Sequence, residues 1–127
     1  MDKVKIAFVG SDGRTKASAV VEIADTCATR RTGLSKRASL PAGTGMFFDK
    51  AGAYWMKDTY IPLDILFVDR FGTILEKQAM FPVQEPDCFK PLHIPSNKAA
   101  EHAIELPHGW YDAQGLAVGD KVKVAGH

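Results

Sequence analysis

The sequence predicts an α+β domain in which a mainly antiparallel β-sheet curls into a barrel-like shell and carries two short helices. Many short apolar or alternating runs are separated by turns rich in glycine and proline, which is typical of strands. Only two short segments have residues that start and stop a helix. With 127 residues, the chain is long enough for a core of its own. We therefore expect a single domain over residues 1–127.

The first two predicted strands lie near the N-terminus. Residues 4–9 alternate weakly, and the turn residues at positions 10–13 end that run. Residues 19–24 form the second strand, with Val21 and Ile23 on one face. The two runs predict neighbouring strands joined by a hairpin turn.

A short helix is predicted to follow. Asp25 and Thr26 offer side-chain oxygens for its N-cap, and Gly33 ends it just after Arg31. Residues 35–40 are expected to add another helical turn before a proline and a glycine turn the chain into a loop.

The remainder of the chain reads as mostly strand. Gly72 suits a hairpin turn that needs positive φ, and three prolines between positions 82 and 91 predict an extended loop. One later run alternates so that Glu101 and Glu105 share a polar face. The predicted strands are residues 45–48, 53–56, 65–69, 73–79, 99–106 and 121–124, and the second helix covers residues 108–114.

The charge and hydropathy of the sequence argue against a nucleic-acid-binding or membrane-spanning protein. The net charge is +1, from 16 Lys and Arg against 15 Asp and Glu. A nucleic-acid surface needs an excess of positive charge, so we expect no nucleic-acid partner. No apolar run approaches the length of a membrane span, and the N-terminus lacks a signal-peptide pattern. We expect a cytoplasmic protein with no membrane partner and with Cys27 and Cys88 as free thiols.

The positions of the histidines, cysteines and serines in the sequence match no known metal-ligand or nucleophile motif. His93, His102 and His108 lie on separate predicted elements, and no two histidines have metal-ligand spacing. Neither cysteine has a histidine near it in sequence, and no serine nucleophile motif is present. We expect no metal and no cofactor, and the sequence names no catalytic residue.

The most distinctive segment covers residues 54–69, with the sequence YWMKDTYIPLDILFVD. It places Lys57, Asp58 and Asp64 among aromatic residues, directly before a strongly apolar strand. Charges in that position either line the mouth of a pocket or hold a tight connection in shape. The segment is therefore the predicted site.

Several motifs together resemble one protein family. They are RxGL at positions 31–34, GMFF at 45–48, the central segment from Trp55 to Asp69, and GDxV at 119–122. In this order they are similar to the domain of unknown function family 192, small bacterial and archaeal proteins, over about residues 20–124. The resemblance implies a compact, β-rich, barrel-like fold and no particular activity. Members commonly have Met at the position of Ser35 and Asn at that of Asp58, and many are exported.

The charged candidates each have two interpretations. Lys57 and Asp58 could clamp a ligand or transfer a proton, or they could form an ion pair and a turn at a strand end. Asp64 could act in acid–base chemistry, although accepting backbone N–H bonds in the turn after Pro62 is the favoured role.

The remaining candidates are also ambiguous. Trp55 and Tyr60 could stack on a sugar or a base, and Trp55 could instead fill the core. Arg31 could bind a carboxylate or phosphate, or it could tie the first helix to Asp58 or Asp64.

Three functions remain open. The favoured hypothesis is a binding module that recognises a small polar ligand in a pocket formed by Arg31, Trp55, Lys57, Asp58, Tyr60 and Asp64. The alternative is an assembly subunit that uses the aromatic segment as a protein interface, in an oligomeric state that the sequence leaves open. The third is a hydrolase or transferase that uses Lys57 with Asp58 or Asp64.

Overall fold

Seven β-strands and two short helices make up the computed structural model, which describes residues 2–56, 58–82 and 93–124. The elements are β1 (Lys3–Val9), β2 (Thr15–Ala24), α1 (Cys27–Thr32), β3 (Thr44–Phe48), β4 (Leu63–Asp69), β5 (Ile74–Met80), β6 (Ala100–Pro107), α2 (Trp110–Ala113) and β7 (Lys121–Val124).

All seven strands belong to one sheet in the order β5-β4-β6-β3-β2-β1-β7. Five of its six neighbouring pairs are antiparallel, and β2 with β3 is the parallel pair. Parallel neighbours need a crossover connection, which residues 25–43 supply and which contains α1. The predicted α+β class and mainly antiparallel sheet are confirmed.

The two edge strands meet at one end of the sheet. Thr73 and Lys121 form an isolated bridge, and the Val122 amide donates a 2.8 Å hydrogen bond to the Gly72 carbonyl. Gly72 has φ of +88°, and a Cβ atom there would lie 2.5 Å from the Val122 carbonyl oxygen. Within the described residues β5 and β7 do not pair along their lengths, so the sheet is not closed into a barrel. The predicted barrel-like shell is not confirmed.

Both faces of the sheet are covered, as the alternation along β4 shows. Leu66 and Val68 join one apolar cluster, whereas Leu63, Ile65 and Phe67 join the other. The first cluster also includes side chains from β1, β2 and α2, and the second includes side chains from β3 and from the segment after α1. A central strand in this sheet therefore buries both of its faces.

Helix α1 begins with a capping box. The Thr26 side chain accepts a hydrogen bond from the Thr29 amide (3.1 Å), and the Thr29 side chain accepts one from the Thr26 amide (3.0 Å). Gly33 follows the last helical turn, as predicted, and its amide bonds to the Thr29 carbonyl. Of the two predicted N-cap residues, Thr26 therefore has that role.

Two local predictions are wrong. Residues 35–40 form turns rather than a helix, because Lys36 takes a left-handed conformation (φ 63°) and its amide bonds to the Asp58 carbonyl. Residues 53–56 form no strand, because Tyr54 pairs only with His93, in an isolated bridge. The predicted proline-rich loop falls largely on residues 83–92, outside the described residues.

Candidate functional site

A cavity of about 340 Å³ lies where the C-terminal end of α1 and the loop after β3 meet β6. Helix α1 and the residues after it line one part of the cavity, the loop after β3 lines another, and the buried Glu105 on β6 forms what we call its floor. The lining consists of Arg30, Arg31, Thr32, Gly33, Leu34, Ser35, Phe48, Lys50, Ala51, Gly52, Ala53, Tyr54, Trp55, Thr59 and Glu105.

Glu105 provides the carboxyl group of this lining. It is only 5% exposed, and it pairs across the sheet with Met46 on β3 and Ile65 on β4. Burial raises the pKa of Glu105 to about 8, because a carboxylate loses hydration in the interior. Among the residues that the structure describes, no hydrogen bond or ion pair engages its carboxyl group, and Glu105 lines the cavity. The floor of the cavity therefore presents an unmatched acid.

The position of Glu105 depends on a glycine in the neighbouring strand. A Cβ atom on Gly45 would lie 2.2 Å from the Glu105 carbonyl oxygen and 2.9 Å from a methyl carbon of Leu106. No other residue type could let β3 approach β6 so closely without a shift of backbone. Gly45 thus allows β3 to pack closely against β6 beside Glu105.

Tyr54 fixes the loop wall. Its hydroxyl donates a 2.6 Å hydrogen bond to the Lys50 carbonyl, and its ring packs edge-on against Phe48 with centroids 5.0 Å apart. Burial, followed by the nearby charge of Glu105, raises the pKa of Tyr54 above its ordinary range. The loop is also tied to β6 by a 2.7 Å hydrogen bond from the Ala51 amide to the Glu101 carbonyl.

The rim carries positive charge. Arg30 forms a two-point ion pair with Asp49, with its Nε atom 2.7 Å and its Nη2 atom 2.9 Å from the carboxylate oxygens. This pair lowers the pKa of Asp49 and joins α1 to the end of β3. Arg31 and Lys50 are exposed, and within residues 2–56, 58–82 and 93–124 their side chains form no ion pair. Two cationic groups therefore remain available at the rim.

The structure separates the residues predicted for the site. Arg31 and Trp55 line the cavity, whereas Asp58, Tyr60 and Asp64 lie outside its lining. Trp55 is 48% exposed, so it is not a core residue. Lys57 lies outside the described residues.

Asp64 is held on the other face of the sheet. Its fully buried carboxylate accepts hydrogen bonds from the Gly109 amide (3.0 Å) and lies 2.8 Å from Nδ1 of His108. It pairs across the sheet with Leu106, whereas Glu105 pairs with Ile65, so the two acidic side chains point to opposite faces. Asp64 anchors the start of β4 to the segment before α2.

Glu105 and Arg30 were not among the predicted site residues. Glu105 was assigned to a polar strand face, but α1 and the loop cover that face. The available signal was an acid flanked by Ile104 and Leu106 in a run that also contains Ala103. Arg30 could have been found only from its distant partner, Asp49.

The described part of the chain has neither a cluster of metal ligands nor a membrane-spanning helix. No three His, Cys, Asp or Glu side chains come together as metal ligands. No helix is both long and apolar enough to cross a bilayer. Cys27 is an exposed free thiol, and Cys88 is not among the described residues.

Fold and site together define a small α+β domain with a buried acid at the floor of a ligand-sized cavity. The chain belongs to the family described as uncharacterised ACR, the domain of unknown function 192, whose model matches residues 7–124. That match begins earlier than the resemblance in the motifs and covers nearly the whole chain. None of the curated proteins compared with the chain matches it.

Two solved structures share the fold. A "putative transcription regulator" from Sinorhizobium meliloti 1021 is 30% identical, with a TM-score of 0.83, 99% of this chain covered and 96% of that chain. A protein of unknown function from Novosphingobium aromaticivorans is 25% identical, with a TM-score of 0.78 and coverage of 95% and 84%. The similarity therefore extends over whole chains.

Proposed function

We propose that this protein is a binding module for a small polar ligand that enters the cavity and contacts Glu105. The observation that carries the proposal is Glu105, a 5% exposed residue in the cavity lining whose carboxyl group is engaged by no ion pair or hydrogen bond among the described residues. Burying an ionisable group without a partner costs free energy. Such groups concentrate at functional sites, where a ligand supplies the missing contact.

The cavity also has the general character of a ligand site. Its volume of about 340 Å³ falls within the range of small-molecule pockets. Apolar surface from Leu34, Phe48 and the Tyr54 ring lies beside the polar and charged side chains of the lining. This combination binds a small molecule through burial and orients it through few hydrogen bonds.

The test is a binding screen with two matched variants. Sugars, nucleotides, carboxylic acids and amino acids are tested by thermal shift, and hits are titrated by calorimetry. Glu105→Gln should weaken the binding of a hit, whereas Glu101→Gln, an exposed position on the same strand, should not. Equal effects of the two substitutions, or no hit in any class, would count against the proposal.

Assembly through the aromatic segment is a second candidate function. Trp55 and Tyr60 are 48% and 60% exposed, and exposed aromatic side chains are typical anchors of protein interfaces. Light scattering would give the mass in solution for the protein and for Tyr60→Ser. A defined oligomer that Tyr60→Ser dissociates would favour assembly, and a monomer at high concentration would oppose it.

No residue that lines the cavity is proposed to be catalytic. A hydrolase or transferase that pairs Lys57 with Asp58 or Asp64 would need these groups in one cleft. Asp64 points to the opposite face from Glu105 and is engaged by Gly109. Nor does the proposal include a nucleic-acid partner, because the net charge of +1 gives no overall attraction to phosphates.

A further inference from the structure

We infer that the ligand of this cavity is an amino acid bound as a zwitterion, with an ammonium group on Glu105 and a carboxylate toward Arg31 and Lys50. The inference rests on the proposed function and names the ligand class for the same site.

The buried Glu105 at the floor of the cavity favours a cationic group on the ligand. Glu105 is 95% buried and has no positive partner among the described residues, and the apolar side chains of Leu34 and Phe48 line the same space. An ammonium group provides both the counter-charge and the hydrogen-bond donors that a buried carboxylate needs. A ligand that brings this group converts an unfavourable burial into a paired one.

The cationic side chains at the rim favour an anionic group on the ligand. Arg31 and Lys50 line the cavity, are exposed, and make no ion pair within the described residues. Arg30 differs, because Asp49 already occupies its guanidinium group at two points. A planar guanidinium binds a carboxylate with two parallel hydrogen bonds, so Arg31 is suited to the carboxylate of the ligand.

Only a ligand with both charges matches floor and rim together. A simple amine pairs with Glu105 but adds a positive charge beside Arg31 and Lys50. A simple carboxylic acid pairs with the rim but leaves Glu105 without a counter-charge. A neutral sugar can donate hydrogen bonds to Glu105, but it matches neither charge.

Proton release provides an independent signature of this arrangement. Burial keeps Glu105 protonated at neutral pH in the empty cavity, because it raises the pKa to about 8. An ammonium group favours the carboxylate form, so the carboxyl proton leaves to the buffer as the ligand binds. The other titratable groups that line the cavity are Arg30, Arg31, Lys50 and Tyr54. Glu105→Gln has no carboxyl proton to lose, so loss of the proton release in this variant identifies Glu105 as its source.

The experiment is calorimetry of the intact protein at about pH 7 with the proteinogenic amino acids. Each amino acid that binds is compared with its decarboxylated amine and its deaminated acid. Titrations in phosphate and in Tris, which differ in protonation enthalpy, count the protons released. The variants are Glu105→Gln and Arg31→Gln, with the exposed positions Glu101→Gln and Lys98→Gln as their controls, and their melting points establish that each is folded.

The expected result is that at least one amino acid binds, releases up to one proton, and loses affinity at least tenfold in Glu105→Gln and Arg31→Gln. Both one-charge analogues should bind at least tenfold more weakly. Binding of a sugar or a simple acid through Glu105, without amino acid binding, would overturn this inference and leave the proposed function intact. Failure of every compound class would overturn both.

Discussion

The backbone amide of Lys36 donates a 2.6 Å hydrogen bond to the backbone carbonyl of Asp58, and both residues have positive φ, 63° and 55°. They are the two non-glycine residues with this conformation in the described part of the chain. The bond joins the turn after α1 to the turn before β4. Two left-handed residues therefore support the same contact next to the cavity.

The conformation of Asp58 should make it tolerant of glycine and intolerant of a branched side chain. A left-handed φ costs an L-residue about 1–2 kcal/mol of conformational free energy, and this cost is larger for Val than for Asp. We expect Asp58→Gly to leave the free energy of unfolding unchanged or to raise it by up to about 1 kcal/mol. Asp58→Val should lower it by about 1–2 kcal/mol. Urea unfolding of both variants measures the difference.

A glycine substitution at an exposed residue with ordinary φ serves as the control. Lys98 meets this condition, and Lys98→Gly should lower stability slightly through the added freedom of the unfolded chain. If Asp58→Gly lowered stability as much as Lys98→Gly, the left-handed conformation would not be what governs position 58.

Glu105 should make the protein less stable as the pH rises. Its folded-state pKa of about 8 lies above the ordinary value near 4.5, so the folded state keeps the proton to higher pH than the unfolded state. The contribution to the free energy of unfolding is complete below about pH 4.5 and is lost between there and about pH 8, at up to about 1.4 kcal/mol per pH unit. Urea unfolding across this range should show that decline for the native protein and a smaller one for Glu105→Gln.

The exposed position Glu101 gives the matched comparison. Glu101→Gln should keep the same pH dependence as the native protein, because it leaves the buried Glu105 in place. Parallel curves for the native protein and Glu105→Gln would show that Glu105 does not titrate in this range.

Gly45 should be sensitive to the addition of a single methyl group. The Cβ atom of alanine would meet the Glu105 carbonyl oxygen at 2.2 Å, so β3 and β6 would have to separate. We expect Gly45→Ala to lower the free energy of unfolding by about 1–3 kcal/mol. Gly52→Ala is the control, because a Cβ atom there meets nothing within 4 Å, and its effect should stay within about 0.5 kcal/mol. Similar losses for the two variants, by chemical denaturation, would contradict the close approach.

The buried carboxylate of Asp64 should raise the free energy of unfolding of the protein. Replacing it with alanine leaves the Gly109 amide without its acceptor and removes the contact with His108. We expect Asp64→Ala to lower the free energy of unfolding by about 1–3 kcal/mol, as measured by thermal and urea unfolding. Asp112→Ala, at a side chain that is 65% exposed, should have a much smaller effect. Unchanged stability in Asp64→Ala, with lost ligand binding, would assign Asp64 to function instead.

Features that depend on neighbouring residues in sequence could be predicted. Thr26 and Gly33 bound α1 as expected, because capping uses atoms within a few positions. Gly72 likewise has the positive φ expected of its hairpin. The left-handed turn at Lys36 carried no such signal, because its amide bonds to a carbonyl more than twenty positions away.

The candidate site depended on contacts that are distant in sequence. Residues 54–69 were selected for their charges and aromatic side chains, and of the predicted site residues Trp55 and Arg31 line the cavity. The floor of the cavity was missed, because the exposure of Glu105 depends on what α1 and the loop cover. A strand pattern shows which residues share a face, but it does not show whether another element covers that face.

The contact between Gly72 and Val122 has a consequence for the behaviour of the protein at high concentration. An open sheet has two edges whose backbone groups can pair with another molecule, and such edges promote aggregation. Where the carbonyl of Gly72 accepts the amide of Val122, each edge serves as partner for the other. A side chain at position 72 would push the edges apart, and the free strands could then pair between molecules. We therefore expect Gly72 to limit association between molecules at this end of the sheet as well as to shape a turn.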